Sequence, residues 1–133
     1  MSWEKEQMLR VVANEIELVD IMMNSNIPIS LVDEKGYFVM VNKAWEEITG
    51  FTRKELCRIP FKFFLHKEDF METMKVYYES ELFNKEAEPV HGFVNRYRTS
   101  EDGKYAKFRW LGFGMGDNGF SVAAAEFLGY EFE

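Results

Sequence analysis

The sequence predicts an α+β domain: an antiparallel sheet with short helices on one face, preceded by an amphipathic helix. Three observations predict it. Apolar residues recur at helical spacing over the first 23 positions and again mid-chain, with short β-type runs on either side of the mid-chain segment. Glycine-bearing turn signals, Asp33-Glu34-Lys35-Gly36, Ser100-Glu101-Asp102-Gly103 and Asp117-Asn118-Gly119, divide those runs into neighbours. The order is then helix, two strands, three helices, three strands, a segregation that speaks against a parallel doubly wound fold.

Residues 3–23 contain no Gly or Pro, and Leu9, Val12, Ile16, Val19 and Met23 recur at spacings of 3, 4, 3 and 4. A second stripe, Met8, Val11, Leu18 and Met22, widens the apolar face beyond one coiled-coil seam. Such a helix can lie on its own sheet or pair with a partner. The first stripe supplies the dimerisation candidates, and a homodimer is expected. Asn24-Ser25-Asn26 and Pro28 end this segment, giving expected units of 1–25 (helix), 26–128 (sheet domain) and 129–133 (C-terminal tail).

Residues 29–32 and 37–41 form the first hairpin, and the second run barely alternates, so both its faces are expected to be covered. Asn42 is placed to cap a short helix over 43–49 that Gly50 ends. Thr52 and Glu55 make a capping box at the next helix, which Pro60 closes. A longer helix is expected over 68–83, with Met71, Met74, Tyr78 and Leu82 inward and Phe70 beside them. Runs 93–99, 105–113 and 120–127 complete the sheet.

At 133 residues, the chain can build a core without disulfides or a structural metal. Its 47% apolar and 29% charged residues exclude a disordered chain. No run approaches 18 apolar residues, so membrane insertion is not expected, and Met1-Ser2-Trp3-Glu4-Lys5-Glu6 lacks the features of a secretory signal. The single cysteine, Cys57, suits a reducing compartment, so the expected location is cytoplasmic. A net charge of -7 argues against a nucleic-acid partner. Thirteen Phe and eight Met point to a generous core or an adaptable binding surface.

No catalytic or metal pattern emerges. Gly114-Met115-Gly116-Asp117-Asn118-Gly119 fits the dinucleotide fingerprint, but a strand follows where a helix would have to receive the pyrophosphate. Cys57, His66 and His91 lack metal spacing; Cys57 reads as a core residue, His66 as surface or capping, and His91 as solvated. Glu46 and Glu47 are adjacent on a helix, so their side chains diverge and cannot share a proton. An enzyme is not expected; acid–base chemistry would require a buried carboxylate among the aromatics.

From Asn26 to Phe127 the chain resembles the PAS, or sensory box, family. Pro28-Ile29-Ser30-Leu31-Val32-Asp33, Gly36 and Val41-Asn42-Lys43-Ala44-Trp45 resemble its strand, D-x-x-G turn, strand and N-x-A-aromatic helix. Thr49-Gly50-Phe51-Thr52 with Glu55-Leu56, Leu65-His66-Lys67-Glu68-Asp69, and Arg96-Tyr97-Arg98 before Asp102-Gly103 are similar to its later motifs, with Lys67 standing where the family has Pro. The resemblance implies a five-stranded antiparallel sheet, often enclosing a ligand pocket. Against the flavin-binding members' G-x-N-C-R-F-L-Q, Phe61 takes the place of the adduct-forming cysteine and Pro60 that of the asparagine. The long helix has no histidine where haem-binding members present one. Neither flavin nor haem is therefore expected, and an unidentified small organic ligand is the alternative. The D-I-T that precedes an effector helix is Glu126-Phe127-Leu128 here, and no effector segment follows. The expectation is an excised sensor module, or one that works through a downstream partner.

Strand alternation selects the expected pocket. Phe93, Asn95 and Tyr97 share one strand face, and Phe108 and Trp110 share the inward face of the next. On the closing strand Ala123 and Ala125 alternate with Val122, Ala124 and Glu126, and whichever alanine set faces inward leaves space; Phe70, Met74 and Tyr78 come from the long helix. Asn95, the Tyr97 hydroxyl and the Trp110 indole N–H are the expected polar handles. Two functions follow: a sensory module that binds a small apolar or amphipathic ligand and relays the signal through dimer or partner contacts, or a ligand-free module with a filled core that serves for dimerisation or docking.

Overall fold

A computed structural model describes residues 24–78, 92–115 and 121–133. The N-terminal helix with Leu9, Val12, Ile16, Val19 and Met23, residues 79–83 of the long helix, His91 and the Asp117-Asn118-Gly119 turn lie outside the described residues.

Five strands, β1 (Ile29–Val32), β2 (Phe38–Val41), β3 (Val94–Arg98), β4 (Lys104–Met115) and β5 (Ser121–Phe132), form one antiparallel sheet in the order β2-β1-β5-β4-β3. Between β2 and β3 come α1 (Lys43–Thr49), α2 (Arg53–Leu56), a 3₁₀ turn (Phe61–Phe64) and α3 (Phe70–Tyr77), whose buried side chains join those of the inner sheet face in one core. This is the α+β architecture read from the sequence. β1 sits between β2 and β5, with Ser30 opposite Val41 on one side and Ala123 on the other.

The local signals act as their chemistry dictates. Asp33 Oδ1 accepts from the backbone N–H groups of Lys35 (2.9 Å) and Tyr37 (3.0 Å), and Gly36 takes φ 85° to close the hairpin. Gly50 ends α1 at φ 77°, and a Cβ there would collide with the Ser100 side chain. Thr52 Oγ1 accepts from Glu55 N at 3.1 Å while Glu55 Oε1 accepts from Thr52 N at 3.0 Å, the capping box the sequence predicts.

Four expectations change. Asn42 precedes α1 but makes no side-chain cap; its Oδ1 accepts from Ile29 N (3.1 Å) and its Nδ2 donates to Ile27 O (2.7 Å). Its buried amide thus fastens the entry to β1, a use that no local pattern reveals. β2 is not covered on both faces, because Val39 is 42% exposed. α3 turns Thr73 and Tyr77 inward, leaving Met71 77% exposed and Tyr78 at the surface. Finally, β5 extends through Phe132, so residues 129–132, read as tail, are strand paired with 104–107. A register shift at Lys107/Phe108, where Gly129 takes φ 110°, breaks the alternation that would otherwise mark these residues as strand.

The core is aromatic. Trp45 is fully buried, with its ring centroid 5.1 Å from those of Phe38 and Phe108 and 5.2 Å from that of Tyr97. The tilted and edge-on arrangements suit the ring quadrupoles.

Candidate functional site

The inner sheet face and α3 line a cavity of about 40 Å³. β1 and β5 supply Ser30, Val32, Ser121 and Ala123 to its wall. Opposite them, α3 contributes Thr73, Val76 and Tyr77, while Phe93, Asn95, Tyr97 and Trp110 come from β3, β4 and the approach to β3. Phe38 and Phe61 complete the wall, which carries no Asp, Glu, Lys, Arg or His among the described residues.

The sequence-predicted residues therefore separate. Phe93, Asn95, Tyr97, Trp110 and Ala123 border the cavity. Phe108 faces inward as alternation requires and Ala125 faces inward with it, but both are wholly buried in the core beside the cavity. Phe70 packs partly against that core. Met74 and Tyr78 border a different recess, a cleft of about 90 Å³ beside the Glu34-Lys35-Gly36 turn and Pro60. That cleft is the larger by volume, yet charged and turn residues rim it, whereas the smaller cavity is walled by the core. The helix face differs because Thr73, not Met74, meets Asn95: Asn95 Nδ2 donates to Thr73 Oγ1 at 3.3 Å. Choosing the most apolar stripe passes over a polar residue with a buried partner.

The expected handles are engaged with one another. Trp110 Nε1 donates to Asn95 Oδ1 at 2.9 Å, so the Asn95 amide joins β3, β4 and α3. Burial pushes the Tyr97 phenol well above its ordinary pKa, with a hydrogen bond to Asn95 acting in the opposite direction. These groups brace the cavity, and their hydrogen bonds run within its wall.

A polar hub joins the start of α3 to the end of β5. Arg96, which alternation places on the water-facing side of β3, holds Asp69 bidentately, Nε to Oδ2 at 2.8 Å and Nη2 to Oδ1 at 2.9 Å. Its Nη1 also reaches Glu131 Oε2 at 3.3 Å. The hydrogen bonds from Arg96 hold the Asp69 carboxyl below its ordinary pKa. His66 is 2% exposed, contrary to a surface placement. Its Nδ1 accepts from Glu68 N at 3.0 Å, which leaves Nε2–H to donate to Glu133 Oε1 at 2.7 Å. Cys57 ends α2 half-buried, with burial raising its thiol pKa. Among the described residues, no group of three or more His, Cys, Asp or Glu could hold a metal. No helix among them is long and apolar enough to cross a membrane.

A family model described as the PAS fold matches residues 16–108. Solved structures of similar fold include a domain of a sensory box sensor histidine kinase/response regulator from Geobacter sulfurreducens, at TM-score 0.62 and 14% identity, covering 87% of this chain and 96% of that one. The PAS-B domain of Drosophila melanogaster Cycle with bound ethylene glycol matches at TM-score 0.61 and 18% identity, covering 76% and 99%. The PAS domain of the Cronobacter turicensis RpfR quorum-sensing receptor, in complex with C12:0, matches at TM-score 0.60 and 15% identity, covering 80% and 97%. At these identities the likeness is one of fold. A search of curated protein sequences returned no match.

Proposed function

The chain belongs to the PAS family, and on that premise we propose that it is a cytoplasmic sensory module, without catalytic activity, in which a small ligand occupies the cavity beneath α3. The observation that carries this reading is the unfilled volume of about 40 Å³ in an otherwise close-packed aromatic core, opposite the small side chain of Ala123. Structures of similar fold hold small molecules, ethylene glycol in Cycle PAS-B and C12:0 in the quorum-sensing receptor.

In this reading, occupancy acts on α3 through Thr73 and Tyr77. The Asp69–Arg96–Glu131 links carry the displacement to the end of β5. A homodimer formed by the N-terminal stripe, or a downstream partner or effector, receives it there. The reading does not include flavin or haem: Phe61, on the cavity wall, stands where the motif of the flavin-binding members has its cysteine.

A second reading, a docking module with a filled core, is favoured by the same number, since about 40 Å³ has room for only a few water-sized groups. Native mass spectrometry of freshly purified protein separates the two. A small-molecule mass excess on the parent, absent from Ala123→Leu, is expected for the sensor. A bare parent under all gentle conditions fits the docking module. The same spectra report the subunit number.

A further inference from the structure

One polar side chain on the cavity wall has no partner. Asn95, Thr73, Tyr97 and Trp110 bond among themselves, and Tyr77 and Ser121 are engaged elsewhere. Ser30 Oγ is buried with no hydrogen-bond partner, and the residue is 1% exposed. Its backbone is held in the centre of the sheet between β2 and β5, so the hydroxyl cannot swing out to water. The other buried orphan among the described residues, Trp45 Nε1, belongs to a residue that is not on this wall; its ring packs on those of Phe38 and Phe108.

Resting on the reading of the cavity as a ligand site, we propose that its ligand is a compact, uncharged molecule with an apolar body and one hydrogen-bonding group, and that Ser30 is the residue that selects it. A hydroxyl donates and accepts, so an alcohol, ketone or amide can satisfy it. The opposing residue on β5, Ala123, leaves room beside it. A carboxylate, phosphate or ammonium head would lose its hydration among side chains that offer no countercharge, and the wall excludes these classes. The single Trp110 N–H is spent on Asn95 Oδ1, and the Asn95 amide also bonds Thr73 and Tyr97, so this group braces the pocket.

The test uses the full chain and its Ser30→Ala variant, titrated with 1-butanol, pentane and butanoate and followed by backbone amide NMR. The proposal expects 1-butanol to bind the parent at the cavity amides and at least fivefold more weakly to Ser30→Ala. Pentane should bind both alike, and butanoate neither. Equal 1-butanol affinity in the two proteins, or butanoate binding at the cavity, overturns the role of Ser30 while the cavity reading stands. If neither 1-butanol nor pentane moves the cavity amides, the ligand site itself fails and the proposal with it. Denaturant unfolding of ligand-free protein gives an independent check. Removing an unsatisfied hydroxyl should move the Ser30→Ala midpoint upward, and a downward shift would mean that the hydroxyl has a partner, which overturns the proposal.

Discussion

The side chains of Asn95 and Trp110, on adjacent strands, meet in a buried hydrogen bond of 2.9 Å from Trp110 Nε1 to Asn95 Oδ1, and the same amide donates to Thr73 on α3. One residue thus holds three elements around the cavity. Asn95→Leu leaves the indole N–H without its acceptor and removes the donor to Thr73, and it should destabilise the fold by about 1–3 kcal/mol in denaturant unfolding. An unchanged midpoint would mean that the triad contributes nothing to holding α3.

The hub at Arg96 predicts an acid limit. The Asp69 pKa is lowered in the folded state, so the stability it contributes is present above the unfolded pKa and is lost as pH falls through the folded one. Unfolding free energy should therefore decline as pH drops below about 4, the unfolded carboxylate range. In Arg96→Met this part of the decline should be smaller, because Asp69 then titrates nearer its ordinary value. The same variant should cost about 1–3 kcal/mol at neutral pH, measured by urea unfolding at pH 7 and along a descending pH series.

Colour is a direct check on the ligand class. With Phe61 at the flavin-adduct position, freshly purified protein should show only aromatic absorbance, with nothing from a bound chromophore beyond about 350 nm. A stoichiometric visible band measured on the unheated eluate would contradict this.

Two alanines two residues apart should respond differently. Ala125 is wholly buried and lies opposite Trp110 in the β4–β5 ladder without bordering the cavity. Ala125→Leu should therefore overpack the core and cost about 1–3 kcal/mol. Ala123 borders the free volume, so Ala123→Leu should cost less while filling it. Paired denaturation curves compare the two.

What the sequence disclosed follows a physical line. Features whose cause is local were legible: the Thr52/Glu55 capping box, Gly50 ending α1, the Asp33–Gly36 turn, and the alternation that turns Asn95, Tyr97 and Trp110 inward. Features whose cause is a distant partner were not. Thr73 and Asn42 are polar yet buried, and so is His66, although its Nδ1 does accept from Glu68 N as a capping role implies. Thr73 is drawn inward by Asn95, 22 positions away, and His66 meets Glu133, 67 positions away. Arg96 does face the outer side of β3 as its charge suggests, but its three carboxylate partners lie on two other segments. The cavity itself depends on how the aromatic rings tilt, which no one-dimensional pattern encodes.

The central claim, that the volume under α3 is open to a small molecule and coupled to the end of β5, is tested most directly by xenon. Dry apolar cavities take up xenon, so backbone amide NMR of the full chain under increasing xenon pressure should show saturable shifts at Ser30, Thr73, Asn95 and Ala123. Smaller shifts should follow at Arg96 and Glu131, and Ala123→Leu should abolish both sets. The absence of a saturable response at the cavity residues, or an identical response in Ala123→Leu, would contradict the account.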